Sequence, residues 1–151
     1  MYSLINKFTP NFLSDGIKNN RIIKKINFYK YIDNRYIILF FINYIYINQL
    51  FEINFFYKEF YIRNVEIICI IINTKKFILH RHSNINKMNI LFFYDINRII
   101  RYKYNLSINK NFKNTFFFID KDKIIRYISI YNFNINNILN IIDKWQYSKK
   151  N

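Results

Sequence analysis

Two runs of apolar residues limit what this chain can fold into. Residues 36–41 read YIILFF and residues 65–72 read VEIICIII. A run that is apolar on both sides of the backbone is typical of a strand covered on both faces of a sheet, and β-branched residues favour that conformation. The two runs therefore predict two central strands of a buried sheet.

The segment between these strands has a helical period. Apolar residues recur there at steps of three and four, at Leu50, Ile53, Tyr57 and Phe60. This spacing places them on one face of a helix over residues 48–61. A strand, a helix and a second strand joined by short connections predict parallel pairing with a right-handed crossover.

The second half of the chain predicts a short strand at 89–93, then a helix, then a hairpin and a last helix. Asp95 is expected to cap the helix after the short strand. Its face pattern points Ile96, Ile99 and Ile100 inward and Arg98 and Arg101 outward.

The hairpin comprises a strand at 115–119, a DKDK turn at 120–123 and an alternating strand at 124–130. The last helix, over 134–146, is expected to bury Ile135, Ile138, Leu139, Ile142 and Trp145. A βαβ unit joined to a ββα unit is the thioredoxin-like arrangement. The predicted fold class is therefore α/β, a mixed sheet with helices on both faces.

Length and composition narrow the class of protein. The chain has 151 residues, 52% of them hydrophobic, which predicts one domain over 1–151 with a real core. It has no Ala, one Gly and one Pro, which excludes collagen and Gly-rich phosphate loops. A single Cys excludes a disulfide framework and any CxxC site.

The basic charge of this chain is weaker evidence for a nucleic-acid partner than it is in most proteins. The net charge is +15, and the chain contains 34 Ile, 25 Asn and 17 Lys. Residues encoded by AT-rich codons dominate, as in reduced endosymbiont or organellar genomes. Basic clusters interleaved with Tyr and Phe also occur on RNA-binding surfaces. Part of the charge reflects codon bias, so we favour a solvated basic face over a nucleic-acid site.

Targeting and membrane signals are weak. MYSLINKFTP lacks the pattern of a signal peptide. The longest uncharged run, between Arg35 and Glu52, is shorter than the roughly 20 residues that a spanning helix needs. We therefore expect no membrane span and a cytoplasmic protein of a reduced-genome bacterium, or an organellar one.

Five segments resemble the peroxiredoxins, in the branch of the alkyl hydroperoxide reductases and thiol-specific antioxidant proteins. They are KFTPNF at 7–12, NFYKYIDNRYIILFF at 27–41, VEIICIIINT at 65–74, YDINRIIRYKYNL at 94–106 and FFFIDKDKIIRYISI at 116–130. They follow the family's order. The resemblance implies a peroxiredoxin-type fold and thiol-dependent reduction of hydrogen peroxide and alkyl hydroperoxides.

The family's catalytic motif, P-x-x-x-T/S-x-x-C, is not matched. The corresponding segment reads FFINYIYINQLFEI, with neither Pro nor Cys. By resemblance, the slot of the peroxidatic Cys falls best on Gln49, which places Tyr46 at the Thr position. Other gap placements put Tyr46 or Leu50 in the slot. None of these three residues carries a thiol.

The other family positions also depart from the pattern. The slot of the active-site Arg falls on Asn114 or on its neighbour Lys113, whose ammonium lacks the fork of an arginine. Cys69, the only thiol, lies among isoleucines and is predicted to be a buried, unreactive residue. The resemblance thus predicts weak or absent peroxidase activity, and we expect no cofactor.

The remaining expectations concern a metal site and the partners of the chain. His80 and His82 could lie on one face of a strand, but no carboxylate is near, so surface histidines are expected and no metal site is predicted. By resemblance we expect a homodimer and, in an active protein, a thiol reductant such as thioredoxin or a reductase. The alternative function is a non-enzymatic dimeric scaffold or a basic nucleic-acid-binding module.

Overall fold

The computed structural model describes residues 1–73, 85, 87–106, 112–130 and 134–150. Seven strands form one sheet in this part of the chain: β1 (Leu13–Lys18), β2 (Arg21–Asn27), β3 (Tyr36–Asn43), β4 (Val65–Ile72), β5 (Leu91–Tyr94), β6 (Thr115–Ile119) and β7 (Ile125–Ile130). Five α-helices accompany them: α1 (Phe28–Tyr31), α2 (Gln49–Phe55), α3 (Tyr57–Ile62), α4 (Ile99–Lys103) and α5 (Ile135–Lys150). Short 3-10 turns occupy Tyr2–Leu4, Tyr44–Tyr46 and Ile96–Arg98.

The sheet has the order β2-β1-β5-β4-β3-β6-β7. Strands β3, β4 and β5 are parallel, whereas the β1–β2, β1–β5, β3–β6 and β6–β7 pairs are antiparallel. A parallel βαβ unit is thus followed by an antiparallel ββα unit. This confirms the predicted mixed, thioredoxin-like sheet.

Helices cover both faces of the sheet, as predicted. On one face, alternate residues of the central strands, such as Phe40 and Cys69, pack in a cluster with Leu50, Ile53 and Ile142 from α2 and α5. On the other face, a second cluster joins residues of the same strands to α1 and α4. Since side chains alternate along a strand, continuous apolar runs are what such a two-sided core requires.

The predicted helix over 48–61 is wrong in one respect, because it is two helices. Helix α2 ends at Phe55 and α3 begins at Tyr57, and the N–H of Phe56 between them donates to the carbonyls of Glu52 and Ile53. The apolar face survives the break. Leu50, Ile53 and Phe60 are fully buried.

The predicted orientation of the helix after β5 is correct for Ile100, which is buried, and for Arg98, which is exposed, but it is wrong for two other residues. Ile99 is exposed, whereas Arg101 is buried. The reason is that Asn97 and Arg98 adopt left-handed backbone conformations, with φ of 60° and 61°. These residues interrupt the helical period, so α4 begins only at Ile99 and presents a different face to the core.

Arg101 is tolerated in the core because Asp95 pairs with it. The Arg101 Nε donates to Asp95 Oδ2 at 3.0 Å, and both side chains are almost fully enclosed. Asp95 also accepts from the N–H groups of Ile100 and Arg101 at 2.9 and 3.1 Å. Asp95 therefore caps α4, as predicted.

A hairpin that the sequence analysis did not identify forms β1 and β2. Its turn lies at Asn19 and Asn20, which have φ of 50° and 64°. This pair of positive φ values is typical of a tight two-residue hairpin turn, in which Asn is tolerated. The hairpin joins the sheet through Gly16 and Ile17, which pair with β5.

The carboxyl-terminal ββα unit agrees with its predicted elements. Asp120 accepts from the N–H groups of Asp122 and Ile124 and so holds the turn between β6 and β7. Helix α5 buries four of the five predicted residues. The fifth, Trp145, is partly exposed, with Arg126 and Lys149 5.0 and 4.7 Å from its ring centroid.

Candidate functional site

The candidate site lies at the carboxyl end of β3, where the apolar run gives way to Asn43. This asparagine is completely buried. Its Nδ2 donates to the carbonyl of Phe112 at 3.2 Å, and its Oδ1 accepts from the N–H of Ile45 at 3.4 Å. The side chain thus begins the 3-10 turn that leads from the sheet towards α2 and ties this turn to the chain before β6.

Asn114 connects this strand end to the first residue of α2. Its Oδ1 accepts from the backbone N–H of Asn43 at 2.9 Å, and its Nδ2 donates to Gln49 Oε1 at 2.5 Å. Asn114 is buried, and Gln49 is half-buried. The residue predicted for the Cys slot and the residue predicted for the Arg slot are therefore in direct contact.

The other predicted slot residues lie apart from this contact. Leu50 is fully buried in the core and Tyr46 is exposed. Lys113 is exposed, and its carbonyl accepts from the Thr115 hydroxyl at 3.0 Å. Of the three residues considered for the Cys slot, Gln49 is the one whose side chain has a hydrogen bond to Asn114.

The Asn43–Asn114–Gln49 cluster consists of neutral amides. Amides donate and accept hydrogen bonds, but they do not provide the electron pair with which a thiolate attacks an O–O bond. A thiolate is favoured by a nearby cation, which an asparagine does not supply. The cluster can therefore form hydrogen bonds, but it cannot reduce a peroxide by nucleophilic attack.

Cys69, the only cysteine in the sequence, lies in the middle of β4 with no exposed surface. Its strand neighbours are Phe40 on β3 and Phe92 on β5. Burial raises the pKa of the Cys69 thiol well above its ordinary value. The thiol therefore stays protonated and enclosed, as the sequence predicted.

Several predictions concern other parts of the chain. His80 and His82 lie outside the described residues. In the parts of the chain that the structure describes, no three His, Cys, Asp or Glu side chains gather as metal ligands would. The helices of these same parts include none that is both long and apolar enough to cross a membrane.

One residue of the site, Asn43, is not predicted from the sequence. Asn43 both ends β3 and contacts Asn114, yet its position in the sequence did not mark it as a site residue. The available signal was a polar residue directly after the run YIILFFI. In a chain with 25 Asn residues, that signal has little weight.

The fold and the place of the polar cluster define a class of protein. A central βαβ unit, a following ββα unit and a polar cluster at the carboxyl end of the first βαβ strand are features of a thioredoxin-like protein of the peroxiredoxin type. A model of the AhpC/TSA family matches residues 5–128. The chain therefore belongs to the AhpC/TSA family, and it is a peroxiredoxin-like protein whose one cysteine is buried.

Solved structures of peroxiredoxins have the same fold. The mitochondrial 2-Cys peroxiredoxin of Plasmodium falciparum is 23% identical, with a TM-score of 0.82, over 97% of this chain and 96% of that one. A yeast mitochondrial 1-Cys peroxiredoxin is 24% identical, with a TM-score of 0.78, over 97% and 78%. AhpC of Mycobacterium bovis is 14% identical, with a TM-score of 0.78, over 94% and 92%. A comparison with curated proteins finds no match.

Proposed function

We propose that this chain is a peroxiredoxin-like protein that has lost thiol peroxidase turnover. In this proposal Gln49 occupies the slot of the family's reactive cysteine, and Asn114 occupies the slot of its arginine. The hydrogen bond between these two side chains supports the pairing, because the two slots belong to one site in the family. Tyr46, Leu50 and Lys113, the other residues considered for the slots, have no part in this contact.

The observation that carries the proposal is the position of Cys69. Peroxide reduction by the family's chemistry needs a thiolate that a peroxide can reach. The only thiol here is enclosed between β3 and β5 on a sheet covered by helices on both faces. Since burial also raises its pKa, both the charge state and the access that the reaction requires are lacking.

A peroxide-consumption assay with excess dithiol tests the proposal. The purified protein is expected to consume hydrogen peroxide and an alkyl hydroperoxide no faster than buffer with dithiol alone. The matched variant is Cys69→Ala, which removes the thiol with a small change in volume. Turnover by the wild-type protein that this variant abolishes would make Cys69 the nucleophile, and turnover that survives in the variant would require another reducing centre. Either result overturns the proposal.

We further propose that the chain forms a homodimer. Four exposed apolar side chains flank the candidate site, on the 3-10 turn and on α2: Ile45, Tyr46, Phe51 and Phe55. A second copy that covered them would remove this apolar surface from water.

Analytical ultracentrifugation tests the dimer. The wild-type chain is expected to sediment as a dimer at micromolar concentration. Ile45→Asp should shift it towards monomer, because the new carboxylate would be buried in the interface. Tyr102→Asp, which changes an exposed side chain on α4, serves as the control. A monomeric wild-type chain, or equal sedimentation of both variants, would contradict this interface.

The compartment that we propose is the cytoplasm of a reduced-genome bacterium, with an organelle as the second choice. This proposal rests on the AT-biased composition of the chain. In an active relative, the thiol reductant would be thioredoxin or a reductase. Under the present proposal, this chain needs none.

A further inference from the structure

A second polar site lies at the opposite end of the central strands from the candidate site. It is a pocket of about 270 Å³ beside the amino ends of β3 and β4. Strand β3 has eight residues, so the pocket and Asn43 are separated by roughly 20 Å at about 3.3 Å per residue. The pocket is therefore distinct from the site that aligns with the family's chemistry.

One wall of the pocket presents two cations fixed by one carboxylate. Glu66 is ion-paired with Arg35 and lies 3.6 Å from Lys18 Nζ. The Tyr31 hydroxyl donates to the same carboxylate at 2.5 Å, and the Arg35 guanidinium lies over the Tyr31 ring at 5.4 Å. The three charged groups sum to +1, and Arg35 is half-exposed, so an anion can reach its guanidinium.

Two tyrosines of α3 also line the pocket. Tyr57 and Tyr61 are stacked, with ring centroids 6.3 Å apart and planes 25° from parallel. Tyr57 is partly buried, and the outer ring, Tyr61, is 70% exposed. Burial, together with the neighbouring Glu66 and Tyr61, raises the pKa of Tyr57, so its hydroxyl stays protonated. An exposed ring that packs against a second ring is held in place, so a planar group of a ligand can stack on it.

We propose that this pocket binds a nucleoside monophosphate unit, with its base stacked on Tyr61 and its phosphate held by Arg35 and Lys18. A guanidinium fixed by a carboxylate and a ring is well suited to a phosphate, because its fork matches two phosphate oxygens. Aromatic side chains stack on any base, since every base has a π-face. The net charge of +15 adds a general attraction for such an anion.

The size of the pocket limits the ligand. Its volume of about 270 Å³ is just below the roughly 300–1,000 Å³ of most ligand pockets, which suits at most one nucleotide whose base remains partly open to solvent. The same unit occurs as a free mononucleotide and at the end of single-stranded RNA. The experiment distinguishes the two sources.

Calorimetric titration with AMP, adenosine and ribose 5-phosphate tests the proposal. AMP is expected to bind at least tenfold more tightly than either of the other two compounds, because each of them lacks one half of the recognised unit. Hexaadenylate, a short single-stranded RNA, is titrated in the same way. If it binds more tightly than AMP, and the pocket variants weaken both, the source is RNA. If it binds no more tightly than AMP, the source is the free nucleotide.

Variants of the pocket residues separate the two halves of the site. Tyr61→Ala should weaken AMP binding by about fivefold or more, whereas Tyr61→Phe should keep it, because stacking needs the ring and not the hydroxyl. Arg35→Gln and Lys18→Gln should reduce the preference for AMP over adenosine. Tyr102→Ala, which removes an exposed ring elsewhere, is the control. Absence of saturable AMP binding at millimolar concentration, or equal binding by Tyr61→Ala and wild type, would overturn the proposal.

Discussion

Replacement of Arg101 by methionine is the substitution whose cost the structure defines most clearly. The Arg101 and Asp95 side chains are 3% and 0% exposed, and their ion pair spans 3.0 Å. Methionine retains much of the apolar stem but removes the guanidinium, so the buried Asp95 carboxylate loses its charge partner. Removal of one member of a buried pair typically costs about 3–5 kcal/mol. A domain of this size is stable by about 5–15 kcal/mol, so the variant should still fold but be visibly weakened.

Urea denaturation followed by circular dichroism measures this cost. Arg101→Met should lower the free energy of unfolding by about 3–5 kcal/mol. The double variant Asp95→Asn/Arg101→Met should recover a large part of it, because no unpaired charge then remains in the core. If Arg101→Met fails to fold, Arg101→Lys takes its place, because it keeps the charge but loses the second guanidinium contact, to Asn73.

A surface ion pair of the same chain provides the control. Lys123 Nζ lies 2.7 Å from Asp33 Oδ1, and the Asp33 side chain is 71% exposed. Asp33→Asn should change the stability by no more than about 1 kcal/mol. A loss below about 1 kcal/mol for Arg101→Met as well would refute the reasoning, since it would mean that Asp95 is solvated when its partner is absent.

Three further predictions concern the site and the buried acids. Asn43→Ala should cost about 1–3 kcal/mol in urea denaturation, because buried backbone groups lose their amide partner; no loss would contradict the proposed role of that side chain. Burial raises the pKa of Cys69 and of Tyr104, so the folded state keeps protons that the unfolded state releases. The contribution of the protonated thiol to the free energy of unfolding is therefore fully present below the unfolded thiol pKa of about 8.5, and it falls as the pH rises beyond that value. In Cys69→Ala, the decrease in the free energy of unfolding should be smaller by up to about 1.4 kcal/mol per pH unit above this pKa. Equal pH profiles of the variant and the wild type would refute this. Gln49→Cys should introduce a thiol whose pKa is not lowered and which has no peroxidase activity, because Asn114 supplies no positive charge. The rate of alkylation by iodoacetamide as a function of pH reports the pKa of this thiol. Fast alkylation at pH 6 would contradict the prediction.

The sequence predicted the elements whose pattern has one physical explanation. The runs at 36–41 and 65–72 are apolar on both sides, and a sheet covered on both faces is the arrangement that buries them. The alternation of 124–130 and the turn residues before it likewise specify a hairpin. In these segments the hydrophobic pattern and the burial in the folded protein agree, so the pattern was sufficient to predict the strands.

The errors arose where backbone conformation changed the register of side chains. The helix after β5 was predicted from a continuous period that began at Asp95. Left-handed conformations at Asn97 and Arg98 interrupt that period, and neither residue type marks such a conformation reliably in a chain so rich in Asn. The hairpin of β1 and β2 was missed for the same reason, since Asn19 and Asn20 form its turn.

The candidate site was predicted only in part. The family's pattern placed Gln49 and Asn114 in slots that the structure brings within 2.5 Å of each other. Different gap placements left Tyr46 and Leu50 as alternatives, because the sequence does not fix how many residues the turn after β3 takes before α2 begins. Asn43 fixes that turn through contacts with residues about 70 positions away, which no local pattern can reveal.

The most direct test of the account is the chemical state of Cys69 after exposure to peroxide. The native protein would be treated with a few equivalents of hydrogen peroxide for minutes, quenched, unfolded in the presence of a thiol-alkylating reagent and measured by intact mass spectrometry. The account predicts one alkylated, unoxidised thiol per chain, equal to that of the untreated protein. Rapid conversion of Cys69 to a sulfenic acid or a mixed disulfide in the folded protein would contradict it.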